Sequence, residues 1–345
     1  MSKGSKRKID ELSKPAEPPH PNYNTELKGI LSEIAVTEKN AGHIGKFHVY
    51  QKAIHALKSF PKKIESGEEA KKLDGIGAKI GKKIDEILAS GKLGKVESLR
   101  LDERVQAINL VARVAGIGPK TAKKLVDEDG VRTLDDMRRL APTLNRHQNI
   151  GLKYFEDFEM RVPRAEIASI EAIVREEASH VDPRLRCEAV GSYRRGASES
   201  GDIDILATHP EYTTADRENK DSKGFLSKLV DRLIARGFII ETIAGGFQQF
   251  MGACRLPGPE AGHPARRIDI KIFPVESFFC GLLHFTGSAE HNRLMSIAAI
   301  NRKFMLSEYS LTPIGATGTK GEPFEINSEE DIFGLLGLPY KPPED

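Results

Sequence analysis

Two aspartates one residue apart, Asp202 and Asp204, follow a turn of small residues and arginines, Gly191-Ser192-Tyr193-Arg194-Arg195-Gly196, with Ser200 and Gly201 directly before them. Glycine and serine let backbone N–H groups approach a polyanion, arginine supplies charge, and alternating carboxylates on a strand share one face. Mg²⁺ takes hard oxygen ligands from one or two carboxylates plus substrate phosphates, so these parts suit a nucleoside triphosphate held with its metal. A second stretch, Arg266-Arg267-Ile268-Asp269-Ile270-Lys271-Ile272, alternates three isoleucines against Arg267, Asp269 and Lys271, the pattern of a half-buried strand. Asp269 by itself reads equally as a salt-bridged strand carboxylate. Together with Asp202 and Asp204 it makes three carboxylates for two metal ions about 3.5–4 Å apart, the arrangement of in-line nucleotidyl transfer.

These side chains need strands and helices to hold them. Period-two alternation places further strands at about 239–243, 250–256 and 267–273, and helical patterning covers 166–178 and 224–236, so an α/β region begins near Val162-Pro163. Before it, from about residue 25 to 91, apolar residues recur at helical spacing: Leu27, Ile30, Leu31 and Ile34, then Phe47, Tyr50, Ile54 and Leu57. Within this helical part a repeat stands out. Gly75-Ile76-Gly77-Ala78-Lys79-Ile80-Gly81-Lys82-Lys83-Ile84 matches Gly116-Ile117-Gly118-Pro119-Lys120-Thr121-Ala122-Lys123-Lys124-Leu125. Two glycines around an isoleucine give a sharp turn whose Ile anchors in the core, and the next helix presents N–H groups and lysines to a phosphate. This resembles the helix-hairpin-helix motif, which grips the nucleic-acid backbone without reading bases. A tight helical turn with solubilising lysines is the blander account, weakened by there being two copies.

Composition sets outer bounds. The net charge of +2 hides a division: the first hundred residues carry 20 Lys and Arg against 13 Asp and Glu, and the remainder is net acidic. A polyanion is therefore expected to be held at the front. Residues 1–24 combine Lys6-Arg7-Lys8 with Pro15, Pro18, Pro19 and Pro21 and read as a disordered tail, its basic triplet a nuclear address or merely solvated. No apolar run approaches a membrane span, the front lacks a secretory core, and Asp10 and Glu11 speak against a mitochondrial presequence. Cys187, Cys254 and Cys280 are odd in number and far apart, which supports reduced structural thiols rather than a disulfide or zinc framework in an intracellular protein.

The ordered set of a basic helical front, two helix-hairpin-helix repeats, G-S-Y-R-R-G with S-G-D-I-D, R-R-I-D-I, and Phe285-Thr286-Gly287-Ser288 followed by Asn292-Arg293 resembles the X family of DNA polymerases over nearly the whole chain. The arrangement is most similar to the small beta type, while Leu256-Pro257-Gly258 and the stretch 334–340 look more like the lambda type. The resemblance implies an α+β multidomain fold. Its expected parts are a tail (1–24), an all-α lyase domain with the first repeat (25–98), a thumb-like DNA-binding segment with the second (99–163), a palm with a mixed β-sheet (164–275) and a nucleotide-selecting α+β subdomain (276–345). It implies template-directed filling of short gaps in base excision repair, with two Mg²⁺ (Mn²⁺ as substitute) on Asp202, Asp204 and Asp269, and Asp269 taking the primer 3′-hydroxyl proton. Arg161, Ser192, Arg195, Ser200 and Gly201 match triphosphate contacts, and Phe285, Gly287 and Asn292 match the lining of the incoming sugar and base.

For the front, the resemblance implies that Lys83 forms a Schiff base with an abasic deoxyribose phosphate. Lys46, Lys71, Lys79, Lys95, Gly75, Gly77, Gly116 and Gly118 match DNA contacts, and the carbonyls of Lys71, Leu73, Ile76, Ala112, Val114 and Ile117 match a Na⁺ or K⁺ site at the turns. From the residues alone, Lys71, Lys72, Lys79, Lys82 and Lys83 all sit in clustered positive charge, which favours Schiff-base chemistry at none of them in particular, and phosphate binding is the better reading for each. Three departures stand out: His284 where a tyrosine is usual, Ser296 in place of an arginine reaching the template, and Gly45 in place of a histidine. The implied partners are gapped or nicked DNA, deoxynucleoside triphosphates and unspecified repair proteins, for a monomer in the nucleus or the mitochondrion. Two other readings compete: a template-independent or RNA-directed nucleotidyltransferase, and a catalytically silent DNA-binding scaffold.

Overall fold

A computed structural model of the chain describes residues 23–221, 223–258 and 262–344. Most of the expected tail, with its Lys6-Arg7-Lys8 triplet, lies outside these residues. Its end does not. Asn24 is buried, its Nδ2 donates to the carbonyls of Leu57 (3.3 Å) and Lys62 (2.9 Å), and its Oδ1 accepts from the Ile64 amide (2.9 Å). An asparagine that satisfies buried backbone groups on two other segments is a structural residue, so the tail cannot extend to residue 24.

The chain divides into two compact units between Phe155 and Glu156. The first is all-helical and has two cores: one gathers Leu31, Ile34, Leu57, Ile64, Ile84 and Leu93, the other Val111, Val126, Val131, Met137 and Leu152. Polar side chains join the two segments. Asn40 Nδ2 donates to Asn109 Oδ1 (2.8 Å), and Asn109 Nδ2 to Thr37 Oγ1 (3.1 Å).

The second unit carries the sheet. Strands β1 (Val162–Pro163) and β3 (Glu199–Ser200) form a short antiparallel pair, which assigns 162–163 to the α/β unit rather than to the helical segment before it. The main sheet has the order β2 (Arg186–Ala189), β4 (Ile203–Thr208), β7 (Arg266–Phe273), β6 (Gln249–Cys254), β5 (Ile239–Gly245). Only β4 and β7 pair in parallel, so the sheet is mixed, as expected. Helices Arg164–Val181 and Phe225–Ala235 give Ile167, Ile170, Val174, Leu226 and Leu229 to the core that the sheet isoleucines complete. The C-terminal part has its own core, built by helices Phe278–Thr286, Ala289–Asn301 and Glu329–Leu336 with the hairpin β8 (Phe304–Leu306) and β9 (Leu311–Pro313). Ser288 and Ser328 cap the last two helices, their hydroxyls accepting from the amides of His291 and Asp331.

Candidate active site

In the parallel ladder Asp204 stands directly opposite Asp269, with Ile203 opposite Ile268 and Ile205 opposite Ile270. Side chains alternate faces along a strand, so the isoleucines enter the core while both carboxylates leave the other face side by side. Asp202 occupies the bend before β4 rather than the strand itself. Its Oδ2 accepts from Arg267 Nη2 at 3.0 Å, and the same nitrogen lies 3.9 Å from Asp269 Oδ2. Burial, together with the charges of Asp202 and Asp269, pushes Asp204 up to about 6. Burial also raises Asp269, with Arg267 acting against it.

Among the described residues, no three or more His, Cys, Asp or Glu side chains stand together as a metal site, and Asp202 is paired with Arg267. The donor chemistry nevertheless suits a divalent cation. Asp269 Oδ1 is buried with no hydrogen-bond partner in the described structure, and Asp204 is held near two like charges. A hard cation would satisfy the first and relieve the second.

The turn expected to cradle phosphate is docked on this pair. Val190 N donates to the Asp204 carbonyl at 2.9 Å, and the chain enters the helical turn Gly191–Arg194 through a left-handed Gly191 (φ 64°). A Cβ there would lie 3.1 Å from Asp204 Oδ2, so the position admits little else than glycine. Ser192 Oγ donates to Ser200 Oγ at 2.7 Å, which brings two predicted triphosphate ligands together. Arg161 reaches the same edge: its Nε meets Glu199 Oε1 (3.1 Å), its Nη2 the Glu199 carbonyl (3.0 Å), and a Cβ on Gly201 would stand 3.1 Å from Nη1. Arg195 donates to the Thr286 carbonyl, and burial lowers its pKa.

Beyond Thr286 lie the predicted sugar and base residues. Phe285 packs edge-on against Phe273 with ring centroids 5.5 Å apart, and Lys271 Nζ lies 4.0 Å from its ring centre. Asn292 Nδ2 donates to the His284 carbonyl at 2.7 Å. Ser296 turns its hydroxyl back to the Asn292 carbonyl (2.8 Å) and lines a cavity of about 320 Å³ with His284, Asn292, Arg293 and Glu308. Sequence reasoning passed over Arg194. It makes a two-pronged pair with Glu329 (3.0 and 2.6 Å) and donates to Thr286 Oγ1 (2.9 Å), tying the turn to the C-terminal helices. Burial works against its charge, but Glu329 holds it above the usual range. The doubled arginine in the motif was the available signal.

In the helical unit the two repeats adopt the same turn. Gly75 and Gly116 have φ of 88° and 86°, Ile76 and Ile117 are buried, and their amides donate to the carbonyls of Leu73 (3.2 Å) and Val114 (3.0 Å). Gly77 and Gly118 head the helices Ala78–Ser90 and Pro119–Asp127, and nothing lies within 4 Å of a Cβ built on either, so a ligand can approach the backbone. Lys79 and Lys83 share a helix face at i,i+4, Lys79 exposed and Lys83 half-buried. Lys71 pairs with Glu68. Lys46 and Lys95, far apart in sequence, both bond to buried Glu38, which no sequence motif singled out.

The duplicated helical turns and the carboxylate pair beside a Gly/Ser/Arg turn define a nucleotidyltransferase palm attached to a helix-hairpin-helix unit. Family models match accordingly: a helix-hairpin-helix domain over 22–93, the fingers domain of DNA polymerase lambda over 109–159, the DNA polymerase beta palm over 161–275 and the DNA polymerase beta thumb over 281–345. These names give "thumb" to the C-terminal part and "fingers" to the segment labelled thumb-like above. The chain is 39% identical to a rat DNA polymerase lambda over 93% of its own length and 56% of that protein's, and 34% identical to one from Arabidopsis thaliana (94% and 62%). A human DNA-directed DNA/RNA polymerase mu matches at 28% (94% and 69%). The chain belongs to the X family of DNA polymerases. It spans 56% and 62% of the length of the two lambda relatives.

Proposed function

We propose that the protein is a template-directed DNA polymerase that fills short gaps during repair, with a deoxyribose phosphate lyase in its helical unit. The observation that carries the polymerase reading is the in-register pair Asp204 and Asp269 beneath a glycine turn that holds Ser192 against Ser200. Ser192, Ser200, Arg161 and Arg195 bind the triphosphate, and Asp269, whose Oδ1 is an unused buried acceptor, takes the primer 3′-hydroxyl proton. Two Mg²⁺ ions held by Asp202, Asp204 and Asp269 would lower that hydroxyl's pKa and offset the charge developing on the phosphates. To join them Asp202 must exchange its Arg267 contact for the metal. Phe285, Gly287 and Asn292 line the sugar and base.

In the lyase, Lys83 condenses with the aldehyde of an abasic deoxyribose, losing water to form a Schiff base. The two helix-hairpin-helix turns grip phosphates without reading sequence, with Na⁺ or K⁺ on the turn carbonyls. The reading assigns the protein to the nucleus. Primer extension on one-nucleotide-gapped DNA, with each deoxynucleotide and with or without Mg²⁺, tests it. Incorporation that follows the template base and needs the metal is the expected result; incorporation indifferent to the template refutes it.

A further inference from the structure

The short helix Thr214–Glu218 supplies no group to the site described above, yet one of its side chains ends in a file of rings that leads there. Arg217 sets its guanidinium carbon 3.6 Å from the centre of the Tyr309 ring, and its Nε is buried with no hydrogen-bond partner among the described residues. Tyr309 stacks on buried Phe273, with centroids 4.9 Å apart and planes at 13°. Phe273 ends β7 and meets Phe285 edge-on, so the file runs Arg217, Tyr309, Phe273, Phe285. The helix that carries Arg217 is itself fixed. Thr213 and Asp216 close a capping box at its start, the Thr214 amide donates to Glu276 Oε2 (3.2 Å), and the Val275 amide donates to the Tyr212 carbonyl (2.9 Å), all of which tie it to the chain leaving β7.

Burying an arginine nitrogen without a hydrogen bond costs free energy, and attraction between the cation and the ring beneath it offsets that cost. The result is a tyrosine ring with a set place. It has somewhere else to go: a cavity of about 370 Å³ lies beside the file, lined by Gln248, Lys271, Phe273, Phe285, Glu308 and Tyr309. Phe285 is only half-buried, held by its edge contact to Phe273 and by Lys271 over its ring. Without the arginine, Tyr309 can turn into the cavity, and the rings stacked behind it lose their support.

We propose that Arg217 is a positioning residue for nucleotide selection: by holding Tyr309 on Phe273 it fixes Phe285, and with it the floor under the incoming sugar. This rests on the reading of Phe285 as a sugar-lining residue. Arg217 touches no substrate and acts through two rings. A floor fixed before the nucleotide arrives needs no ordering on binding, and a floor that yields admits a 2′-hydroxyl more readily.

The test uses the full chain on one-nucleotide-gapped DNA, with single-turnover insertion of a deoxynucleotide and of the matching ribonucleotide. Arg217→Ala should raise the apparent nucleotide Kd about fivefold and narrow the deoxy-to-ribo ratio about as much, the loss expected of one cation–ring contact, with DNA affinity by anisotropy within about twofold of wild type. Arg217→Lys, which keeps the charge but lacks the flat stacking face, should lose about twofold and serves if the alanine variant folds poorly. In a Tyr309→Ala background, Arg217→Ala should add nothing, because the two side chains act as one unit. Unchanged nucleotide Kd and sugar ratio in both Arg217 variants, or an equal effect of Arg217→Ala with and without the Tyr309 ring, overturns the proposal. Phe285→Ala separates it from the reading beneath it. If that variant shifts both quantities while the Arg217 variants shift neither, the proposal alone falls; if it shifts neither, the sugar-lining reading falls and the proposal with it.

Discussion

Replacing Asp204 by asparagine in the metal-free protein should raise stability, and by more as pH rises. The Asp204 carboxyl moves from 3.8 to about 6 on folding, pushed by burial and by Asp202 and Asp269. At 1.36 kcal/mol per unit, a rise of about two units corresponds to about 3 kcal/mol. The folded state holds this proton more tightly than the unfolded chain, so the stability it contributes is full below about pH 4 and lost as pH passes about 6. The asparagine variant has no proton to lose at this position. The difference in unfolding free energy between variant and wild type should therefore climb by about 3 kcal/mol towards the variant from pH 4 to pH 7, then level off. Glu38, which is depressed, changes protonation at lower pH and in both proteins, so it cancels in the difference. Urea titrations in EDTA at half-unit pH steps measure the curve. A flat difference, or one that falls as pH rises, would refute the electrostatic account of this carboxylate. Adding Mg²⁺ at pH 7 should then stabilise the wild type more than the variant, because an ion that binds only the folded site shifts unfolding by mass action.

Asp269→Ala should lower single-turnover nucleotide insertion by several orders of magnitude while DNA affinity changes little; near wild-type insertion would remove Asp269 from the chemistry. Lys83→Ala should abolish most borohydride trapping on abasic DNA and leave primer extension intact, and an undiminished adduct would point to another lysine of the cluster. Ile117→Ala, which truncates a buried turn anchor, should destabilise the helical unit by about 2–5 kcal/mol and weaken DNA binding with no change in sequence preference, as followed by urea melts and anisotropy. Ser296→Arg has about 320 Å³ of neighbouring cavity to fill and should raise the ratio of correct to incorrect insertion; an unchanged ratio would show that accuracy is set elsewhere.

What was legible in the sequence was whatever physics makes local. The G-I-G turns were readable because positive φ demands glycine at Gly75 and Gly116 and because the isoleucine between the glycines has only the core to enter. Strand β7 was readable because its isoleucines alternate with Arg267, Asp269 and Lys271, and the structure buries the isoleucines as the alternation requires. Pairings between distant segments left no local trace. Glu38 meets lysines 8 and 57 positions away, and Arg194 meets Glu329 at a separation of 135. Asn24, read as part of a polar tail, is polar because it serves buried backbone groups near residue 60, a role that composition cannot distinguish from solvation. Arg267 was seen flanking Asp269, yet alternation along β7 could not say that its nearest carboxylate would be Asp202.

The parallel pairing of β4 with β7 bears on how such a centre is inherited. Because Asp204 and Asp269 meet through ladder register, their alignment does not depend on how many residues separate them. Loops joining β4 to the helix before β5, or β6 to β7, can gain or lose residues between relatives without moving either carboxylate. A one-residue slip within β7, by contrast, would turn Asp269 into the core and Ile270 outward. Insertions in those loops are thus the ones evolution can try freely, and a search for distant kin should score the two strands separately rather than demand a fixed spacing between their aspartates.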